Sequence, residues 1–387
     1  MSFYNTQNPS RFRAKYGQPP NNVPDCTLVQ NWSFNMVNTN DLFVENCAIH
    51  LGEKAGSFKQ SPSGTVAIGC YAGEQFQSED SIAIGNNAAR YSQSKQSIAL
   101  GYFAGFTSQA TGSIAVGPGA GALGQGQSCI SIGQEAGFYG QSRSCVAIGF
   151  QAGAAAQSTG ALAIGAYAGR NFQQNFSVAV GVYAGESNQQ NRSVAVGPGA
   201  GRSVQQEHAV AIGYNSGNIY QGTGSISIGD SAGESNQNEL AVAIGKGAGN
   251  VSQKEGCVAV GPYAGNSTQG IGSVAVGHYA GLTTQGSYSV AVGIYSGQLN
   301  QSTQSVAVGH QAGNSGLGSW AVAIGPYAGQ TNSSANSIVL NAQSGVPLNA
   351  PNTGLFAKPV RGLNLPAAGW GVLYYNITTG EIAYDNT

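Results

Sequence analysis

A pentapeptide with the form Ser-Val-Ala-Val-Gly recurs through most of this chain at a constant interval of 16 residues. A further copy ends at Gly52, 17 residues before Gly69. A strict short period predicts a solenoid, because each repeat can bury its apolar residues only against its two neighbours. The glycines that close the 17 regular copies, called the motif glycines below, are Gly69, Gly85, Gly101, Gly117, Gly133, Gly149, Gly165, Gly181, Gly197, Gly213, Gly229, Gly245, Gly261, Gly277, Gly293, Gly309 and Gly325.

The three residues before each motif glycine alternate as they would in a β-strand. The first and third are Val, Ile or Leu in every regular copy, and the second is Ala in 15 copies and Ser in two. This period of two predicts an all-β chain, a parallel β-roll or β-solenoid of about 18 coils whose strands pair ~4.8 Å apart. We expect the branched aliphatic side chains to fill the coil and the alanines to form its outer face.

The polar and glycine positions predict the turns and a second ladder. Glycine recurs so strictly that these positions need either a positive φ or a close approach between coils. Glutamine occupies the eighth position after the motif glycine in 15 consecutive copies, and stacking predicts a ladder of hydrogen-bonded amides. The representative turn glycines are Gly69, Gly85, Gly101, Gly117, Gly261, Gly277 and Gly293, and the representative ladder residues are Gln77, Gln93, Gln109, Gln269, Gln285 and Gln301.

The column of alanines predicts self-association. Two aliphatic residues and one alanine in each 16-residue coil form a thin core for an isolated rod. A long, smooth apolar stripe lets another chain approach closely, so we expect a closed assembly around a three-fold axis. The candidate trimer-interface residues are Ala67, Ala83, Ala99, Ala259, Ala275 and Ala291.

The repeat divides the chain into three regions. Residues 1–46 contain Pro19, Pro20 and Pro24 and are predicted to form an extended N-terminal anchor or leader. Residues 47–336 form the solenoid, and residues 337–387 form a β-rich cap or stem. Within the cap, residues 371–375 and 381–384 lie on either side of Thr378-Thr379-Gly380, which predicts a hairpin.

Composition excludes several classes of partner. Only 31 of the 387 residues are charged and the net charge is −1, so we expect no nucleic-acid partner. No run approaches ~18 apolar residues, so we expect no membrane insertion. The first residues also lack the apolar stretch of a secretory signal.

No residues form a recognisable catalytic or metal site, and we expect no cofactor. His278 and His310 share a repeat position but lie two coils apart, roughly 10 Å, which is too far for one zinc ion. His50 is expected at the surface. Cys129 and Cys145 occupy equivalent positions of adjacent repeats and are expected to be free thiols, because stacked side chains are poorly placed for a disulfide.

A tyrosine column is the candidate binding feature. Tyr263, Tyr279 and Tyr295 occupy the second position after the motif glycine in three consecutive coils. Stacked tyrosines offer apolar ring faces and hydroxyl groups to a glycan. The alternative is a structural aromatic ladder that covers a turn or a subunit interface.

Two parts of the chain resemble known families. The Ser-Val-Ala-Val/Ile-Gly coils resemble the head repeats of trimeric autotransporter adhesins, the YadA-like head, which implies a left-handed, trimeric parallel β-roll. The C-terminal region is similar to phage and large-virus fibre proteins, in which such a segment often precedes an endosialidase-type intramolecular chaperone. The motifs that carry this second resemblance are Ser337-Ile338-Val339-Leu340-Asn341-Ala342, Gly354-Leu355-Phe356, Pro359-Val360-Arg361, Leu373-Tyr374-Tyr375-Asn376 and Thr379-Gly380-Glu381-Ile382.

Together these features predict a non-enzymatic, homotrimeric fibre or spike on a virion surface or otherwise extracellular. Its partners would be copies of itself, virion or filament neighbours at the termini, and a host-surface glycan. A self-assembling extracellular filament or matrix subunit is the alternative. An ice-interacting solenoid is disfavoured because the repeat contains no column of threonines.

Overall fold

Every secondary-structure element in the described part of the chain is a β-strand. The computed structural model describes residues 48–61, 64–343, 345–360, 373–375 and 382–384. Within these residues no helix is long and apolar enough to cross a membrane. The predicted N-terminal anchor, residues 1–46, lies outside the described residues.

Most strands have three residues, because a turn follows each one at once. In chain order they are β1 (Ile49–Leu51), β2 (Val66–Ile68), β3 (Gln75–Gln77), β4 (Ile82–Ile84), β5 (Tyr91–Gln93), β6 (Ile98–Leu100), β7 (Thr107–Gln109), β8 (Ile114–Val116), β9 (Leu123–Gln125), β10 (Ile130–Ile132), β11 (Tyr139–Gln141) and β12 (Val146–Ile148). The next are β13 (Ala155–Gln157), β14 (Leu162–Ile164), β15 (Asn171–Gln173), β16 (Val178–Val180), β17 (Ser187–Gln189), β18 (Val194–Val196), β19 (Ser203–Gln205), β20 (Val210–Ile212), β21 (Ile219–Gln221), β22 (Ile226–Ile228), β23 (Ser235–Gln237) and β24 (Val242–Ile244). The last are β25 (Val251–Gln253), β26 (Val258–Val260), β27 (Val274–Val276), β28 (Thr283–Gln285), β29 (Val290–Val292), β30 (Leu299–Gln301), β31 (Val306–Val308), β32 (Val322–Ile324), β33 (Ser337–Asn341), β34 (Gly354–Lys358), β35 (Leu373–Tyr375) and β36 (Ile382–Tyr384).

The motif strands form one parallel sheet that runs along the molecule. It has 20 strands: β1, β2, the even-numbered strands from β4 to β26, then β27, β29 and β31 to β34. Paired residues are 16 apart in the regular repeats, as in Val274 with Val290 and Ala275 with Ala291. The chain therefore folds as the predicted parallel β-solenoid with a 16-residue repeat.

The parallel stacking extends beyond the predicted boundary at residue 336. Strand β33 pairs in parallel with β32, and β34 pairs in parallel with β33. The segment that we assigned to the cap therefore adds two strands to the solenoid sheet. Its final strands, β35 and β36, form the predicted antiparallel hairpin.

The glutamine strands form the second sheet of the coil. Twelve of them, the odd-numbered strands from β3 to β25, pair in parallel, and β28 pairs with β30 in the same way. Isolated bridges at Gln269 connect these two groups. Each coil thus has a motif strand on one side and a glutamine strand on the other, with a turn at each corner.

The alanines form the core, which is the reverse of the predicted orientation. Alanines between the two aliphatic residues of each motif are fully buried within one chain, whereas those aliphatic residues are half-buried or exposed. The interior of a 16-residue coil is narrow. Even a methyl group added at Gly281, on the opposite side of the coil, would stand only 3.1 Å from Cβ of Ala275, so two branched side chains do not fit there. The prediction that these alanines contact sister chains is therefore wrong for Ala67, Ala83, Ala99, Ala259, Ala275 and Ala291.

Candidate interaction faces

The outward residues of the motif strands form a continuous apolar surface. We call it the aliphatic face: the two Val, Ile or Leu side chains that each motif strand from β2 to β32 directs away from the core. Examples in widely separated coils are Ile84, Ile132 and Ile324, which are 37%, 39% and 44% exposed. No charged residue interrupts either column.

The aliphatic face is long, narrow and regular. Branched side chains suit the outer surface of a strand, and parallel pairing places each column in register from one coil to the next. With 17 strands ~4.8 Å apart and two columns ~7 Å apart, the face measures roughly 80 Å by 7 Å. An uninterrupted apolar patch of this size is typical of an interaction site.

A ladder of buried glutamines lies opposite the alanines. Nε2 of one glutamine donates to Oε1 of the glutamine in the next coil, at 2.7–3.4 Å, along nearly all of the column between Gln93 and Gln301. Nε2 also donates to the backbone, as from Gln189 to the carbonyl oxygen of Val178 at 2.8 Å. The predicted ladder is therefore present, and it lies in the core.

Two serines in the alanine column join this ladder. Gln125 Nε2 donates to Ser131 Oγ at 3.1 Å, and Ser131 Oγ donates to Gln141 Oε1 at 2.7 Å, so the serine bridges two rungs. Ser227 similarly donates to Gln237 Oε1 at 2.6 Å. These serines are the two exceptions in the alanine column. Serine shares the small size of alanine, and that small size is the sequence signal that this column points into a narrow interior.

The motif glycines are placed as predicted, at the turns between strands. Each has a φ between 104° and 133°, and a methyl group on Gly277 would stand 2.7 Å from the carbonyl oxygen of Gly293 in the next coil. Both requirements expected from the sequence, a positive φ and a close approach, apply at the same position.

The candidate glycan-binding tyrosines stack on one another. The rings of Tyr263 and Tyr279 are 5.2 Å apart and 7° from parallel, and those of Tyr279 and Tyr295 are 5.4 Å apart and 5° from parallel. The inner ring faces are therefore covered by neighbouring rings, and a sugar could reach only the two ends of the stack. This geometry favours the structural ladder.

The histidines do not assemble into a chemical site. Among the described residues, no three His, Cys, Asp or Glu side chains come close enough to hold a metal ion. His50, which we expect at the surface, is half-buried instead: it pairs in register with Ala67 and so occupies the inward position of the first described coil. Burial lowers the pKa of its imidazole.

The paired cysteines are buried free thiols. Cys129 and Cys145 occupy the position that serine fills in most coils, and Cys145 Sγ donates to the carbonyl oxygen of Ser158 at 2.9 Å. The neighbouring thiol of Cys145 lowers the pKa of Cys129, and the neighbouring thiol of Cys129, together with burial, raises the pKa of Cys145. Both thiols face the coil interior, where they pack and form hydrogen bonds as part of the structure.

No protein-family model, curated protein or solved structure matches this chain.

Proposed function

We propose that this protein is a structural, non-enzymatic fibre or spike that assembles as a homotrimer, is displayed on a virion surface and serves in host or surface attachment. The aliphatic face is the observation that carries the proposal. Fully buried alanines keep the coil closed, while two columns of branched side chains remain available outside it.

A second copy of the same chain is the partner that this face fits best. A partner must offer an apolar surface roughly 80 Å long with the same ~4.8 Å repeat. Another copy, aligned in parallel, meets both requirements because identical residues then lie at the same level along the axis. The absence of charge along both columns avoids the cost of burying unpaired ions.

A three-fold axis accounts for the presence of two columns. In a trimer, each column of one chain can contact a different neighbour, so both columns are covered. The face covers on the order of 600 Å² per chain, near the lower range of stable interfaces before the flanking turns are counted. The coils resemble trimeric adhesin heads, which supports the trimer. The C-terminal segment resembles viral fibres, which supports a place on a virion surface.

The interface is tested by placing charges on one sheet or the other. The double variant Val180→Lys/Val196→Lys puts two lysines on the aliphatic face, and the matched control Ser187→Lys/Ser203→Lys puts two on the glutamine sheet of the same coils. Light scattering should give three chain masses for the wild type and the control. The aliphatic-face variant should give one chain mass with an unchanged β circular dichroism spectrum.

A monomeric wild type at micromolar concentration would overturn the trimer. The trimer would also be overturned if the aliphatic-face variant and the control variant had the same mass. Electron microscopy of the native assembly then shows its form. We expect discrete rods on particles. A continuous filament would instead indicate a matrix subunit.

A further inference from the structure

Four exposed residues form a regular column at one corner of the C-terminal coils. We call this column the aromatic–amide edge: Tyr288, Gln304, Trp320 and Asn336, which occupy the same repeat position in four consecutive coils. All four are exposed, and the two rings are 60% and 59% exposed. Aromatic and amide side chains alternate along the column.

The backbone directs the Cα–Cβ bonds of these four residues in equivalent directions. Their φ angles are 58°, 56°, 56° and 57°, all in the left-handed region. Each backbone N–H donates to a carbonyl oxygen of the preceding coil, at 2.8 Å for Tyr288, 2.9 Å for Gln304, 3.2 Å for Trp320 and 3.0 Å for Asn336. The backbone of the column is therefore preorganised, which lowers the backbone entropy lost when a ligand binds.

The aromatic rings of this edge do not stack on each other. An amide residue separates Tyr288 from Trp320, so each ring is two coils, or about 10 Å, from the next. The Tyr288 ring instead lies over Gly272, where an added methyl group would stand 3.1 Å from its Cδ1 atom. This contrasts with the tyrosine stack at the other corner, whose inner ring faces are covered.

The surroundings are polar but carry no formal charge. Residues 256–357 contain no Asp, Glu, Lys or Arg. Hydroxyl groups precede three of the four edge residues along the chain, at Ser287, Thr303 and Ser319. The chemistry offered is therefore ring faces with hydrogen-bonding amides and hydroxyls, which suits a neutral ligand with both C–H faces and hydroxyl groups.

We propose that the aromatic–amide edge binds a neutral, extended β-1,4-linked hexopyranose chain. Each sugar of such a chain advances by close to one coil, and successive sugars are turned over, so every second sugar presents the same face. Tyr288 and Trp320 are placed to stack on alternate sugars, while Gln304 and Asn336 hydrogen-bond to the hydroxyls of the others. This assignment rests on the attachment function proposed above and names its ligand class.

The same corner carries a matched control residue. Phe176 occupies the equivalent position in an earlier coil, is 59% exposed and lies over Gly160. Its neighbour in the next coil is Arg192, so it lacks the amide that follows each aromatic ring of the edge. Substituting Phe176 removes an exposed ring of similar accessibility without touching the edge.

Calorimetric titration of the full chain with cellohexaose and chitohexaose tests the assignment, with maltohexaose as the α-linked comparison. We expect the wild type to bind at least one β-1,4-linked hexamer and to bind maltohexaose at least about ten-fold more weakly. Tyr288→Ala and Trp320→Ala should each weaken binding about ten-fold, and Phe176→Ala should leave it unchanged. Light scattering of each variant reports its assembly separately.

Failure of this inference can be distinguished from failure of the proposed trimer. Absence of binding to both β-linked hexamers overturns the inference, as does equal affinity for maltohexaose or an equal loss in Phe176→Ala. If Trp320→Ala loses trimer mass together with binding, the edge is a subunit contact and the inference is wrong. A monomeric wild type that binds cellohexaose or chitohexaose retains the edge site and overturns the trimer alone.

Discussion

At the scale of single residues, the two glycines of each repeat meet different constraints. Gly277 has a φ of 129°, and its added methyl group would lie against the backbone of Gly293. Gly281 has a φ of 53°, and its added methyl group would meet side chains, the amide of Gln285 and Cβ of Ala275, and not the backbone of the next coil. Ala89 occupies the position equivalent to Gly281 in an early coil, with a φ of 45°. Only the motif glycine is therefore irreplaceable on geometric grounds.

Gly277→Ala should destabilise the protein more than Gly281→Ala. The first change forces a side chain into a glycine-only conformation, which costs about 1–3 kcal/mol before the backbone clash is added. The second costs about 1–2 kcal/mol, the penalty for an L-residue in the left-handed region. Urea unfolding followed by circular dichroism gives both free energies. Equal losses would contradict the distinction between the two positions.

At the scale of an element, the glutamine ladder makes the second sheet cooperative along the axis. Gln189 accepts from Gln173 at 3.1 Å and donates to Gln205 at 3.0 Å, so it connects three coils. The ladder ends at Gln301, because the next position is Leu317, a fully buried apolar residue. A rung in the middle therefore has an acceptor in the next coil that the last rung lacks.

Gln189→Leu should cost about 1–3 kcal/mol more than Gln301→Leu. The central change leaves Oε1 of Gln205 buried without its donor, and an unpaired buried acceptor carries a cost of that order. The terminal change leaves no glutamine of a following coil unpaired. Thermal and urea unfolding of both variants provide the comparison, and a larger loss in Gln301→Leu would refute the ladder's axial role.

The orientation of the motif strand shows where prediction at this scale failed. Alternation in Val274-Ala275-Val276 correctly predicted a strand with two different faces. Side-chain volume and hydrophobicity suggested that valine was inside, as in most sheets. The distance across a coil of 16 residues reversed this assignment, because small side chains such as alanine and one longer side chain, usually glutamine, fill the space between the two strands.

At the scale of the whole molecule, the described solenoid begins with a coil unlike the others. His50 occupies the inward position that alanine fills in the next coil, and its Nε2 lies 3.4 Å from Oγ1 of Thr65. Burial lowers the pKa of this imidazole below its ordinary value because a charged ring would lose its hydration. Coils stabilise only their neighbours, so the effect of protonation is expected to stay near this end.

Acidification should loosen the first coil before the centre of the rod. The folded state holds His50 neutral, so its contribution to stability is complete above about pH 6.5 and is lost as the pH falls through the lowered pKa of the folded state. Hydrogen exchange, corrected for its intrinsic pH dependence, should show lower protection of Ile49–Leu51 at pH 5 than at pH 7, and no change in Val178–Val180. His50→Ala should remove the difference. Uniform loss along the rod would contradict this local effect.

The sequence by itself determined the features that depend on position along the chain. The 16-residue period sets the coil, its register and the stacking of like residues, and the invariant glycines mark turns that no other residue could form. Only the tertiary structure decided the features that depend on distance across the coil. A short coil brings its two strands so close that alanine and glutamine fill the interior, and the branched residues are left on the outer face of the sheet.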